Sequence, residues 1–162
     1  MIQGIFHIGI QSDNPQQLAR FYHEVLDMAI IGGSEGDEAF GDSAFLSSRP
    51  DAESHHLAIF QQRQFAHLAF KVESLGELRD CHRRVVERGL PIKMAFNHGV
   101  SLAFYFADPD GNLIEVYWPT GRACHQPHGD PLDLTLPEDE LLRDVARFPL
   151  PVDGMLSIPP SR

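Results

Sequence analysis

The sequence predicts an α+β fold made of two βαβββ modules, and three observations predict it. The order strand, helix and three strands can be read twice along the 162 residues. The two passes superpose at an offset of 60, which brings His7 onto His67, Asn14 onto Ser74, Leu18 onto Leu78 and Val25 onto Val85. Each helix also opens on a side-chain cap, at Asn14 and at Ser74. A repeat of this size implies two copies of one supersecondary unit that share a core or an interface. The expected organisation is a single domain over residues 1–118, with modules 1–62 and 63–118, followed by a C-terminal extension over 119–162.

The first module opens on Ile2 to Gln11, a strand with Ile5, His7 and Gly9 on one face and Phe6, Ile8 and Ile10 on the other. Asn14-Pro15-Gln16-Gln17 then starts a helix: Asn caps, Pro takes the first helical position and Gln completes a capping box. Leu18, Phe21, Tyr22, Val25 and Leu26 form its apolar face. Strands at Ala29 to Ile31, Ala39 to Ser47 and His56 to Phe60 complete the module. In the second, Phe65 to Val72 is a strand carrying His67, and Ser74 opens a helix that runs through Leu78, Val85 and Val86 to Gly89. Strands at Ile92 to Phe96, Leu102 to Ala107 and Asn112 to Trp118 follow, the last two joined by the Asp108-Pro109-Asp110-Gly111 turn. Beyond Trp118 the chain reads as an irregular connection to Asp133, one short helix within Pro137 to Phe148, and an extended proline-rich tail.

Composition narrows the function. A formal charge of −10 argues against nucleic acid as a partner, because counterion release rewards cationic surfaces. Cys81 and Cys124 form no CxxC, so neither a disulfide framework nor a thiolate zinc site is suggested, and a reducing, cytoplasmic setting fits. The opening MIQGIFHIGI has no basic segment ahead of its apolar run, and no run approaches membrane-spanning length.

Chemistry concentrates on three residues. Glu115 stands between Ile114 and Val116 in an apolar strand, where an unpaired carboxylate would be costly or would protonate, so it needs an arginine, a proton or a metal. His7 and His67 are equivalent under the repeat. Two imidazoles and a carboxylate on one face, with other positions open, make the facial triad suited to Fe(II) oxygen chemistry, and the same set takes Mn(II) or Zn(II). Taken alone, each residue has a plainer reading, as a satisfied strand histidine or an ion-pair partner for arginine. His98 lies in a glycine loop, where a substrate contact competes with a plain turn. His125 and His128 in the tail read as solvated, while Phe40, Phe45, Phe104 and Tyr117 are candidate pocket walls.

FHIGI, a capped helix, FAHLAFKV and YFxDPDGNxIEVY, in that order, resemble the vicinal oxygen chelate superfamily of glyoxalases, bleomycin and fosfomycin resistance proteins and type I extradiol dioxygenases. The resemblance covers Ile2 to about Trp118. It implies that the paired modules curl into a half-barrel around a metal held by His7, His67 and Glu115. Within the superfamily the chain is most similar to the extradiol dioxygenases. There, a histidine in a His-x-x-Ala setting serves as acid and base, which His55-His56-Leu57-Ala58 matches, with His55 favoured and His56 the alternative. A tyrosine ten residues before the glutamate contacts substrate oxygens, the position of Tyr105. An imidazole can take a catechol proton and return it later, and a phenol can hold a substrate oxygen. The resemblance implies an Fe(II) enzyme that opens an aromatic diol with O2, as a homodimer. The alternatives are a glyoxalase-like isomerase or epimerase of the same scaffold, or a binding module for a bleomycin-type compound, which the acidic charge would suit.

Overall fold

The structure is a computed structural model and describes residues 1–36, 41–50 and 55–151. Strand β1 (Gly4–Gln11) leads into helix α1 (Pro15–Leu26), then β2 (Ala29–Ser34), β3 (Ser43–Ser47) and β4 (Leu57–Phe60). After one 3-10 turn at Arg63–Phe65 come β5 (Leu68–Lys71), α2 (Leu75–Glu87), β6 (Ile92–Asn97), β7 (Ser101–Ala107) and β8 (Leu113–Pro119). A two-residue strand β9 (Asp130–Pro131) and helix α3 (Glu138–Val145) end the described chain.

All nine strands join one mixed sheet in the order β2-β3-β4-β1-β5-β8-β7-β6-β9, so the fold is the expected α+β half-barrel of paired modules. The halves meet where β1 pairs antiparallel with β5, and each of those strands pairs in parallel with the last strand of its own half, β4 or β8. Of the expected capping boxes the side-chain caps are present but the reciprocal bonds are not, since the Asn14 amide donates to Ser12 Oγ and Glu77 Oε2 accepts the Glu73 amide. Asn14 Oδ1 accepts the Gln17 amide at 3.0 Å and Ser74 Oγ accepts the Glu77 amide at 3.1 Å, each satisfying a donor that the first helical turn leaves orphaned. The DPDG turn closes on Asp108, whose carboxylate accepts the amides of Asp110 and Asn112, while Gly111 takes the left-handed φ of 86° that the turn demands.

Alternation along the strands divides the sheet into a helix-covered convex face and a concave one. On the convex side Leu102, Phe104 and Val116 pack with Leu75 and Leu78 of α2, and Leu134, Leu141 and Val145 of the extension complete the same core. Ala44, Leu46 and Ile59 pack against Ala19, Leu18 and Tyr22 of α1. The concave side carries Phe45, Ala58 and Phe60.

Several expectations need correction. The β1–β5 register slips between Ile5 and His7, so this bulge separates their directions: His7 and Gly9 are buried while Ile5 lies outside with Ile8. On α1 the buried stripe is the Pro15 and Ala19 side, which leaves Phe21, Val25 and Leu26 at 53%, 60% and 59% exposure; helical periodicity alone chose a face about one residue off. The offset of 60 also fails at the fourth strand. Gly9 of β1 faces Ala58 while its equivalent, Ala69 of β5, faces Glu115, so the counterpart of Glu115 is Ala58, at an offset of 57, and His55 precedes that strand. The turns inside the two halves differ by three residues, which an ungapped overlay cannot absorb. Ala39 and Phe40, expected at the start of the third strand, and residues 152–162 of the tail lie outside the described residues. No helix among the described residues is long and apolar enough to cross a membrane.

The extension is therefore part of the core. Leu141 is 2% exposed on α3, and Leu141→Ala is expected to cost about 2–5 kcal/mol in urea-induced unfolding, the range for a buried leucine that leaves a cavity. A loss below about 1 kcal/mol would mean that α3 contributes little to stability.

Candidate metal centre

Two register lines bring the three polar side chains together. His7 on β1 faces Ala69 on β5, which in turn faces Glu115 on β8. His67 sits one residue before β5, pinned by reciprocal backbone bonds with Gly9 at 2.8 and 3.1 Å. The Nε2 atoms of His7 and His67 lie 3.0 Å apart, and each lies 3.0 Å from Glu115 Oε2. Among the described residues this is the one cluster of three or more such side chains whose ligand atoms converge, all within 4.8 Å and all buried.

The donor set fits a divalent ion. Three atoms at mutual distances of 3.0 Å match cis positions of an octahedral shell with bonds of about 2.1 Å. His67 Nδ1–H donates to the Phe65 carbonyl at 2.6 Å, which leaves the Nε2 lone pair aimed inward, as in most histidine ligands. Burial by itself would raise the Glu115 pKa, but the two imidazoles outweigh it and hold the carboxyl well below the ordinary range, so it is ionised. Burial likewise opposes a proton on His67, yet the hydrogen bond and charge of Glu115 and the Phe65 carbonyl prevail and raise its pKa, whereas at His7 burial wins and lowers it.

Gly9 supports this geometry at close range. A Cβ there would stand 2.7 Å from His67 Nδ1 and 2.9 Å from the neighbouring ring carbon, so only glycine lets the ring lie where it does.

The remaining sequence candidates gather around the triad. The His55 ring lies 4.2 Å from that of His7 and 5.2 Å from Phe45, and burial pushes its pKa well below the usual value, followed by the charge of His7. His56 turns away: its Nδ1 accepts the Ser48 amide at 3.2 Å. On the other side Tyr105 meets His98 Nε2 at 3.0 Å. His98 Nδ1 donates to the His128 carbonyl, and because burial keeps His98 neutral its Nε2 accepts from the tyrosine. Burial, then the charge of Glu115, raises the Tyr105 pKa far enough that it stays a phenol.

These residues line a concave cavity of about 240 Å³, mostly walled by aromatic and aliphatic groups. Phe45 and Tyr117 are among its walls, but Phe104 is fully buried in the convex core and Phe40 lies outside the described residues. His128, read from sequence as solvated, is half-buried in the wall, while His125 is exposed. Sequence reasoning missed Phe60, Phe65, Met94, Phe96, Lys71 and Arg122 as lining residues. Lys71 had a usable signal, since it lies four residues beyond His67 on the same strand face; Phe60, Met94 and Phe96 lie on strands without a triad residue, and Arg122, in an irregular segment, had none.

Glu115→Gln and His67→Ala are each expected to abolish stoichiometric metal in protein purified without chelators, read by elemental analysis. Gly9→Ala, which touches no ligand atom, is expected to weaken metal binding about 10- to 100-fold by displacing His67. Unchanged affinity in that variant would show that the ring relaxes at no cost.

Comparison with known proteins agrees with this architecture. Residues 4–116 match the model of the Glyoxalase/Bleomycin resistance protein/Dioxygenase superfamily. The chain is 25% identical over 122 residues to biphenyl-2,3-diol 1,2-dioxygenase 3 of Rhodococcus globerulus, covering 68% of this chain and 60% of that protein. It is 28% identical over 126 residues to the metallothiol transferase FosB of Shouchella clausii, covering 74% and 83% respectively. The crystal structure of the 2,3-dioxygenase LapB from Pseudomonas sp. KL28 superposes with a TM-score of 0.59 at 19% identity over 82% of this chain and 45% of that one, a likeness of fold. The chain thus spans about 60% of the biphenyl-diol dioxygenases it matches. With the family model covering residues 4–116, from the first strand through the glutamate of the triad, this chain belongs to the Glyoxalase/Bleomycin resistance protein/Dioxygenase superfamily.

Proposed function

We propose that this chain is an extradiol dioxygenase that opens a catecholic ring beside its vicinal diol, using O2 and an Fe(II) ion held by His7, His67 and Glu115. The observation that carries the reading is the flanking of the triad by proton-handling groups on two sides, His55 against His7 and the Tyr105–His98 pair beyond Glu115. The dioxygenase relatives support the substrate class, a ring bearing adjacent hydroxyls. When bound, the iron supplies a shared site at which a diol and dioxygen are activated side by side.

The chain's own residues do the rest. His55 is kept neutral by burial and can accept a proton from a diol hydroxyl as it enters, then return it to the ring-opened product. Tyr105 stays a phenol and donates its one hydrogen to the fixed His98 acceptor, which leaves its oxygen set to accept from a substrate hydroxyl. Phe45, Phe60 and Phe96 exclude water around the ring. Both atoms of O2 end in the product, so the reaction draws on no outside reductant.

A second reading, a metal-dependent transferase or isomerase, is favoured by the 83% share of the metallothiol transferase that the chain matches. Against it stands Ala58, a methyl group in the place where the first half could have offered a second carboxylate.

Iron-reconstituted protein is expected to give a ring-fission chromophore with stoichiometric O2 uptake for at least one member of a catechol panel. His55→Ala is expected to lower kcat by about 100-fold or more and Tyr105→Phe by about 10-fold or more, with metal content unchanged. A panel without any chromophore, or a His55→Ala enzyme as fast as the parent, sinks the proposal.

A further inference from the structure

Two cations line the cavity, and among the described residues neither meets a carboxylate. Lys71 follows Ala69 on the concave face of β5, and its partner across the sheet is Tyr117, two residues beyond Glu115 on β8. Two residues along a strand advance about 7 Å, so Lys71 starts roughly that far from the triad. Arg122 belongs to the same end of the half-barrel, because it lies three residues past Pro119, where β8 pairs with Ser101 at the beginning of β7. The Lys71 ammonium stands 4.5 Å from the centre of the Phe6 ring, and Arg122 Nη1 donates to the Phe148 carbonyl at 3.3 Å. Both contacts leave donors to spare.

The chain has 23 acidic residues against 13 Lys and Arg, and Arg79, Arg83, Arg143 and Arg147 all find carboxylates. Lys71 and Arg122 both line the cavity, where the one lining carboxylate among the described residues is Glu115. The cavity lining also includes Val100, Ser101, Tyr117, Pro119, Gly121 and Gln126. Space permits more than a bare ring, since a cavity of roughly 150 Å³ already takes benzene and this one measures about 240 Å³.

We infer that the aromatic substrate carries an anionic arm, a carboxylate on a short chain, which Lys71 and Arg122 recognise. The ring in this statement rests on the catechol reading above; the anion site rests on the two side chains. A carboxylate leaving water needs charged donors, and charge-assisted bonds are about twice as strong as neutral ones. An overall negative protein repels anions at long range, so the preference must be local and short-range.

Binding and turnover separate the two claims. By titration calorimetry the wild-type protein is expected to bind 3-phenylpropanoate about tenfold or more tighter than 3-phenylpropanamide, and Lys71→Met and Arg122→Gln are each expected to erase most of that preference with melting temperature unchanged. Lys71→Met keeps the aliphatic stem; if it does not fold, Arg122→Gln decides. Equal binding of acid and amide, or a preference that survives in both variants, overturns the inference. In parallel, iron-loaded enzyme is offered 3-(2,3-dihydroxyphenyl)propanoate and its methyl ester, with kcat/KM expected to favour the acid by about tenfold or more. Anion preference without cleavage of either diol removes the dioxygenase reading and supports the anion site. Cleavage of both diols at equal rates removes the anion site and supports the dioxygenase.

Discussion

A carboxylate buried between two imidazoles is the constraint on which the rest of this structure depends. Glu115 is 3% exposed and its ion-pair partners among the described residues are His7 and His67. Such a group is tolerable only if a positive charge reaches it, and the sheet is arranged so that one can. The antiparallel junction of β1 and β5 sets the two histidines side by side, and the parallel pairing of β5 with β8 delivers the glutamate to the same level. Each of these three side chains comes from a different segment of chain, so the site exists only when the two halves are assembled.

Local geometry refines what topology begins. The bulge after Ile5 puts His7 inside without dragging Ile5 in with it, and Gly9 leaves room for the ring of His67. The tight turn at Asp108 fixes the register that places Tyr105 opposite Glu115 across β7 and β8. These are small features with large leverage, since a slip of one residue on any of the three strands would point a ligand at the helices.

Much of this was legible in the chain. Caps at Asn14 and Ser74 and the DPDG turn are local signals, each resting on a few residues whose conformational preference is strong, and the His7–His67 equivalence follows from the repeat they mark. His7, His67 and Glu115 could be grouped because polar residues in apolar strands are conspicuous. What escaped the sequence was non-local. Ala58 rather than His55 is the counterpart of Glu115 because turn lengths differ between the halves, and an offset cannot see an insertion. The buried side of α1 depends on which neighbour it packs against, and Phe21, Val25 and Leu26 are apolar enough to mislead. His128 and Arg122 lie in irregular backbone, where no periodicity announces a direction.

The carbonyl of His128 has a consequence for how this protein can be dissected. It belongs to the segment after β8, yet it accepts the proton on His98 Nδ1, and Gln126 donates to the His98 carbonyl at 2.8 Å. A chain cut back to the two repeats would keep His7, His67 and Glu115 but lose part of its core, release an imidazole to exchange tautomers and deprive Tyr105 of its settled acceptor. The repeat is thus not the functional unit. The site extends to the residues that govern where one hydrogen atom resides.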